Sequence, residues 1–425
     1  MSLATMSLCA LVVAIVASSM TRINVGILSL AFALLIGVYF GGMKVGDVAA
    51  GFPTQLFLTL VAVTLLFSQA QLNGTLDKIA HRAVRSCRGN VGMIPVMFFL
   101  LSLFLGSIGP GNIASAALIA PMAMAVASRV GISAFLMAIM VGNGANASAL
   151  SPIAPTGIIV NGLMGRIGLP GTDWRNYLSV MIAHTVVAFT GYFLLGGWRL
   201  FARKYDVDEV PQTAGCAPDS MPTLDPRHWV TLSVILALVV AVIFFNVNLA
   251  VGAMAGAVVL VILRVADDAP SIKTLPWGTI LMVCGVTVLI ALLERTGGMD
   301  MFVSVLARVP SRKSVTGVTA LLTGAISVYS STSGVVLPAF LPTVPGLVAK
   351  LGGGDALAIA SSINVGSHLV DVSPLSTTGA LCIAAAPATE DVRALFRKML
   401  AWGLSMTLVG AVGCYIVFGL LTGNE

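Results

Sequence analysis

Hydroxyl, amide and proline residues gather at two places in a chain that is otherwise strongly apolar. The first reads Ser-Pro-Ile-Ala-Pro-Thr-Gly over Ser151–Gly157, and the second reads Ser-Pro-Leu-Ser-Thr-Thr-Gly over Ser373–Gly379. Both fit the pattern S-P-x-x-x-T-G. Proline and glycine interrupt a helix, and the exposed peptide groups together with side-chain oxygens can serve as ligands for small ions. These residue types predict binding of a small charged ligand.

The composition places this pattern in a membrane. Of the 425 residues, 57% are hydrophobic and 9% are charged, whereas soluble domains carry roughly a quarter charged residues. Uncharged runs such as Leu3–Met20, Ile23–Tyr39 and Leu400–Leu421 approach or reach the ~20 residues that cross a bilayer. We expect an all-α polytopic membrane protein surrounded by lipid. The net charge of +6 is scattered rather than gathered into a patch, which argues against a nucleic-acid partner.

The two halves of the chain have the same order of elements. Three apolar spans come first, then a basic stretch, two apolar arms joined at a polar tip, an interrupted helix and a final long span. We predict two inverted repeats of five transmembrane helices, each with a re-entrant hairpin and a broken helix, because an odd number of crossings inverts the second copy. The boundaries are a first repeat at 1–200 with its hairpin at 91–128 and broken helix at 132–163, a linker at 201–228, and a second repeat at 229–425 with its hairpin at 314–349 and broken helix at 355–386.

The basic residues predict the orientation. If the stretch Leu76–Arg88 faces the cytoplasm and the spans alternate from there, most of the 23 lysines and arginines fall on the cytoplasmic side. This bias follows the positive-inside rule. It predicts a multi-pass protein of the inner (cell) membrane with the linker 201–228 in the cytoplasm and both termini outside.

A helix broken inside the membrane must face protein or water, because lipid cannot satisfy free peptide groups. The new N-terminus suits an anion and the new C-terminus suits a cation. No lysine or arginine lies in either hairpin tip or either break, so hydroxyls, amides and helix ends would hold the ligand. The predicted substrate-binding residues are Asn112, Ser115, Asn146, Pro152, Thr156, Thr332, Ser333, Ser373, Pro374, Thr377 and Thr378. The predicted cation-coupling residues are Ser107, Asn112, Asn143, Asn146, Ser148, Ser331, Asn364, Ser367, His368 and Asp371.

Asp371 is the one acidic residue among the hairpin tips and interrupted segments. A carboxylate inside a membrane is costly and therefore marks a functional candidate. It could take up a proton, bind Na⁺, or pair with His368 about one helical turn away. His368 is itself a candidate for proton coupling, and His184 is predicted to be a buried, hydrogen-bonded histidine.

The doubled motif, the paired polar tips and the order of elements resemble the ion transporter superfamily, and within it the malonate/dicarboxylate carrier branch, related to divalent anion:sodium symporters. The resemblance covers nearly the whole chain. It implies a homodimer held by a scaffold domain, and a transport domain that moves as an elevator. It also implies ligand contacts at a Ser-Asn-Thr signature in each hairpin tip. Asn112 matches that asparagine, while the second tip reads Ser331-Thr332-Ser333, so the coupling ion stays open between Na⁺ and H⁺, with no other cofactor.

The sequence therefore predicts a secondary active transporter of a small dicarboxylate. Alternatives are the membrane subunit of a binding-protein-dependent carboxylate transporter, an inorganic-ion antiporter of the same superfamily, and a channel. An enzyme is not expected. Ser367, His368 and Asp371 cluster, but no G-x-S-x-G elbow accompanies them, and no His/Cys/Asp set has the spacing of a zinc site.

Overall fold

The computed structural model describes residues 2–20, 23–76, 78, 90–204, 224–245, 247–308, 311–328, 331–387 and 389–421. Across these residues the secondary structure is helical, and the one β-bridge joins Asn90 to Lys204. Most of the predicted basic stretch Leu76–Arg88 and of the predicted linker 201–228 lies outside the described residues. The all-α prediction is confirmed for the part of the chain that the structure describes.

The first half contains nine helices within the described residues. They are α1 Leu3–Met20, α2 Val25–Leu34 with a π-helical continuation at Leu35–Phe40, α3 Val45–Ala49, α4 Thr54–Leu72, α5 Met93–Ser107, α6 Gly111–Val130, α7 Ala134–Ala147, α8 Pro155–Arg166 and α9 Asp173–Leu194. A 3₁₀ segment, Gly197–Ala202, follows α9.

The second half continues with α10 to α20. They are α10 Pro226–Phe245, α11 Leu249–Ile262, α12 Asp268–Lys273, α13 Trp277–Thr296, α14 Gly298–Leu306, α15 Val315–Ser327, α16 Leu337–Phe340, α17 Val344–Lys350, α18 Ala356–Leu369, α19 Thr377–Ala384 and α20 Val392–Cys414. A π-helical turn, Thr332–Val336, precedes α16, and another, Tyr415–Leu421, extends α20.

The helices are apolar enough for a bilayer. Five described helical segments have the length and composition of membrane spans: Thr54–Leu72, Gly111–Val130, Asp173–Leu194, Thr332–Lys350 and Val392–Leu421. A sixth candidate is bent by 93° between Ile280–Thr296 and Gly298–Leu306, and the other apolar helices are shorter. These features fit a polytopic membrane protein. The ten predicted crossings and the re-entrant course of the hairpins stay predictions.

Both interrupted helices are present, with breaks at 148–154 and 370–376. The helix α7 continues through Gly142, Asn143 and Asn146 and ends at Ala147, and the main chain resumes as a helix only at Pro155. Proline suits the first position of a helix because its missing N–H would have no partner there. The internal glycines of α7 remain helical, and Gly144 allows a neighbouring helix to come very close.

One glycine in each broken helix allows a neighbouring helix to pack closely against it. A β-carbon on Gly144 of α7 would lie 2.4 Å from the carbonyl oxygen of Phe99 in α5. A β-carbon on Gly366 of α18 would lie 2.6 Å from the Cα atom of Ala320 in α15. Real β-carbons do not come that close to main-chain atoms. Each broken helix therefore lies directly on the first arm of the hairpin from its own half.

The halves also pack on each other in a reciprocal way. Helix α2 of the first half packs against α13 of the second, and α4 of the first packs against α11 of the second. The second arm of the first hairpin, α6, contacts α19, while the segment Thr332–Thr343 of the second hairpin contacts α8. These contacts bring the hairpin tips and the two S-P-x-x-x-T-G motifs to one region.

Candidate functional site

A polar cavity of about 220 Å³ lies where the hairpin tips meet the broken helices. Nine of the sequence-predicted residues line it: Asn112, Thr156, Ser331, Thr332, Ser333, His368, Asp371, Thr377 and Thr378. Ile23, Asn24 and Val25 at the start of α2 and Met282 of α13 also line it. Met282 packs directly on Gly334 of the second hairpin as well, so α13 contacts the hairpin beside the cavity.

Besides α2, three helices that carry predicted residues begin at this cavity. Asn112 is the second residue of α6, Thr156 the second residue of α8, and Thr377 the first residue of α19. The free peptide N–H groups at a helix start carry a partial positive charge. The described lining residues include no lysine or arginine. Main-chain amides and neutral side chains therefore supply the positive potential at this site.

Asp371 contributes the negative charge. Its side chain is buried, and its Oδ1 accepts a hydrogen bond of 2.7 Å from the hydroxyl of Thr332 in the second hairpin tip. The Thr332 hydroxyl also contacts the hydroxyl of Ser327. Among the described residues no ion pair joins Asp371 to His368, so the structure does not contain the pairing considered from the sequence. Asp371 instead connects the second hairpin tip to the second break.

Asn146 forms the corresponding connection in the first half. Its side-chain oxygen accepts a hydrogen bond of 2.9 Å from Asn112 and one of 3.3 Å from Thr378. One amide thereby joins the first hairpin, the first broken helix and the second broken helix. Within the described chain, the Nδ2 of Asn146 has no hydrogen-bond partner although it is buried. Its unpaired N–H groups lie beside two cavity residues.

The second break is braced by Ser376, which the sequence reasoning missed. The Ser376 hydroxyl lies 2.5 Å from the carbonyl oxygen of Asp371 and 2.7 Å from that of Ser373, and it accepts a bond of 3.3 Å from the N–H of Gly379. Ser376 is the N-cap of α19. A serine directly before the start of the helix was an available signal, because serine is a preferred N-cap residue.

The terminal glycine of each motif packs onto its first serine. A β-carbon on Gly157 would lie 1.9 Å from the carbonyl oxygen of Ser151, and one on Gly379 would lie 2.0 Å from that of Ser373. The S-P-x-x-x-T-G pattern therefore describes a turn in which the start of the second helix packs against the carbonyl of the motif's first serine.

Other predicted residues do not line the cavity. They make hydrogen bonds within or between helices instead. Ser107 bonds to the carbonyl of Leu103 and the hydroxyl of Tyr177, Ser115 to Ser102, Asn143 to Ile139 and His184, Ser148 to Ala145, Asn364 to Asn176, and Ser367 to Ile363. Pro152, Ser373 and Pro374 lie in the breaks. The roles assigned to these residues stay predictions.

The described residues contain no group of three or more histidine, cysteine, aspartate or glutamate side chains placed to hold a metal ion. Oxygen ligands for an alkali cation are nevertheless present around Asp371, because the hydroxyl of Thr332 and the carbonyl of Ser367 lie beside it. Hard cations take oxygen ligands of this kind.

Apolar helices around a polar cavity fit an integral membrane protein with a candidate site between its halves. Residues 1–149 match the family model for the N-terminal part of the dicarboxylate carrier protein MatC. The uncharacterized transporter Rv2685 of Mycobacterium tuberculosis strain H37Rv is 25% identical over 354 residues, which cover 79% of each chain. These matches confirm the resemblance predicted from the sequence and support a transporter of the dicarboxylate-carrier type.

Two solved structures share the fold. MtrF of Neisseria gonorrhoeae, from a class of antimetabolite efflux pumps, is 13% identical with a TM-score of 0.58, over 92% of this chain and 86% of MtrF. The YdaH transporter of Alcanivorax borkumensis, described as having an unusual topology, is 15% identical with a TM-score of 0.61, over 91% of this chain and 90% of YdaH. At these identities the likeness concerns the fold alone.

Proposed function

We propose that this protein is a secondary active transporter of a small dicarboxylate of the malonate or C4 type. It works by an elevator-like alternating-access mechanism coupled to a cation, and it is built from two inverted repeats in the inner membrane, with both termini outside the cytoplasm. The MatC family match over residues 1–149 supports the substrate class.

The observation that carries the proposal is the convergence of α6, α8 and α19 on one cavity. Their N-terminal amides suit carboxylate oxygens. The starts of α8 and α19 come from opposite halves, so each can face one end of a dianion. Thr156 and Thr377 add hydroxyl donors at these two helix starts. Because no lysine or arginine lines the described cavity, the anion is held without a salt bridge and can leave again, as a carrier requires.

Reciprocal packing supports the inverted-repeat architecture. Each broken helix rests on its own hairpin through a glycine, Gly144 or Gly366, and each motif closes with the same glycine-on-serine contact. The exchanged pairs α2 with α13 and α4 with α11 are what two interlocked copies would produce.

The position of the cavity supports an elevator. The motif-bearing helices and Asn24 and Met282 of α2 and α13 line the same cavity. A domain carrying α6, α8 and α19 could slide along α2 and α13 and take the ligand with it. The helices α2 and α13 would then belong to a scaffold, which we propose forms the homodimer in the lipid bilayer.

The test uses purified protein in liposomes. Labelled malonate, succinate and malate are offered under an imposed Na⁺ gradient, an imposed H⁺ gradient, or neither, with flux followed in both directions. We expect saturable uptake of at least one dicarboxylate that increases under one gradient. Protein-free liposomes and the monocarboxylate acetate serve as controls. Absence of dicarboxylate flux under every gradient, from protein that is folded and monodisperse, would refute the proposal.

A further inference from the structure

Two buried histidines meet where the halves pack together. His184 lies on α9 and His368 on α18, and these two helices are in contact. Their relative exposures are 0% and 1%. The rings are near enough for a charge on His368 to act on His184, and the His184 ring also approaches the main-chain carbonyl of His368. His368 additionally forms part of the cavity wall.

The hydrogen bonds identify the tautomer of each neutral ring. Nδ1 of His368 lies 2.8 Å from the carbonyl oxygen of Asn364, which can only accept, so Nδ1 carries the proton. Nδ1 of His184 lies 2.8 Å from Oδ1 of Asn143. That amide is oriented by its own Nδ2, which donates to the carbonyl of Ile139 over 2.9 Å. His184 is therefore also protonated on Nδ1.

Both rings consequently present a bare Nε2 to the protein interior. Over the described residues, neither Nε2 has a hydrogen-bond donor, and Oδ1 of Asn364 is a third buried acceptor without a partner. Buried acceptors left unpaired are costly and uncommon. All three unpaired atoms in this group are therefore acceptors. The carbonyl of His368 beside the His184 ring would accept a hydrogen bond from Nε2 once that nitrogen carried a proton.

The surrounding charges limit the site to one proton. Besides His184, helix α9 carries the ionisable residues Asp173, Arg175, Tyr177 and Tyr192, and Asp371 follows α18. Helices α7 and α15, which also pack on α18, contain no ionisable residue. Cys414 of α20 contacts Ser362 of α18 itself, Lys350 contacts Asp300, and the basic residues at the start of α20 are exposed. Repulsion between two imidazolium rings opposes the uptake of a second proton.

We propose that His184 and His368 form one buried proton site, and that the proton bound there is the ion coupled to dicarboxylate transport. This inference rests on the proposed function. A proton from the cavity adds to the lone pair of Nε2 in one ring, an N–H bond forms, and the ring becomes an imidazolium. The same bond breaks when the proton leaves. An anion in the cavity stabilises that cation, so proton and dicarboxylate each increase the other's affinity.

The proton site is tested without transport by ¹⁵N NMR of histidine-labelled protein in nanodiscs. The chain has four histidines, so single replacements by glutamine assign every ring signal. We expect two neutral rings protonated on Nδ1, which together gain one proton on acidification and a second only at much lower pH. In His184→Gln, His368 should titrate in a single step. The proposal would be overturned if the rings were protonated on Nε2. It would also be overturned if the titration of each ring stayed the same when the other ring was replaced.

Coupling is tested in liposomes that contain a pH-sensitive dye and labelled dicarboxylate. The double replacement His184→Gln/His368→Gln removes both rings and should lower the number of protons moved per dicarboxylate at least tenfold. His228→Gln is the matched control, because His228 bonds to Asn73 and lies on α10, away from α9 and α18. An unchanged ratio in the double variant would reject the inference and leave the carrier proposal intact. No dicarboxylate flux in the wild type would reject the carrier proposal, while the NMR titration still decides on the proton site.

Discussion

The segment from Ser148 to Ala154 joins α7 to α8, and the segment from Val370 to Ser376 joins α18 to α19. Both end in the same glycine-on-serine contact, yet their side chains differ. The first break is surrounded by neutral amides around Asn146, whereas the second carries Asp371 and follows His368. The two breaks thus share a main-chain geometry but carry different polar side chains. We expect anion binding to involve both copies, whereas Asp371 and His368 place much of the proposed cation coupling in the second copy.

The largest expected effect tests the shared construction. Gly157→Ala and Gly379→Ala each place a β-carbon within about 2 Å of a serine carbonyl oxygen, so the turn must open. We expect each to lower the free energy of unfolding by about 3 kcal/mol, measured by thermal unfolding in detergent. Gly162→Ala is the control because no atom lies within 4 Å of the position that its methyl group would take. If one copy tolerated alanine, the two turns would not be equivalent.

The next effect concerns the anion site. Asn112→Ala and Thr377→Ala remove a polar group from one helix start each, and both should weaken dicarboxylate binding roughly tenfold to a hundredfold while the protein stays folded. Uptake kinetics and size-exclusion chromatography measure the two properties. Ser179→Ala changes a half-buried serine that is bonded to its own helix and does not line the cavity, and it should behave as the wild type. Normal uptake in both site variants would remove the cavity from the mechanism.

Asp371→Asn should leave the second break, like the first, without an acidic side chain. We expect the carboxylate to take part in cation coupling, so its loss should change the dependence of uptake on pH or on the driving cation. Uptake measured across a range of external pH values shows the shift. Glu294→Gln, at an exposed position on α13, is the charge-matched control. An unshifted profile would give Asp371 a purely structural role.

The smallest effect comes from the cap of α19. Ser376→Ala removes the N-cap hydroxyl and should lower stability by about 1 kcal/mol. The first copy has Ala154 at this position, without a side-chain cap. Ala154→Ser should therefore raise stability by a similar or smaller amount. Thermal unfolding of both variants measures this, and equal destabilisation by the two changes would show that the caps are not comparable.

The sequence could predict the breaks because proline and glycine act locally, and the predicted residues Asn112, Thr156, Thr377 and Thr378 do line one cavity. It could not separate cavity-facing hydroxyls from those bonded to their own helix. Ser148 was predicted as a ligand, but its hydroxyl donates to Ala145 three residues earlier. A hydroxyl residue is present in either case, and only the direction of its side chain differs.

Asn24 and Met282 show a second limit. Nothing near them in the chain marks a binding site, and they reach the cavity only because α2 and α13 pack very closely. A β-carbon on Gly285 would lie 2.0 Å from the carbonyl oxygen of Gly26. Such a contact depends on two distant segments meeting, and periodicity within either segment does not contain that information.

The absence of lysine and arginine from the described cavity wall has a consequence for how such a site changes over generations. In the proposed function its attraction for negative charge resides in main-chain dipoles rather than in one basic side chain. Exchanges among serine, threonine and asparagine at the rim would then change which anion fits while leaving those dipoles in place.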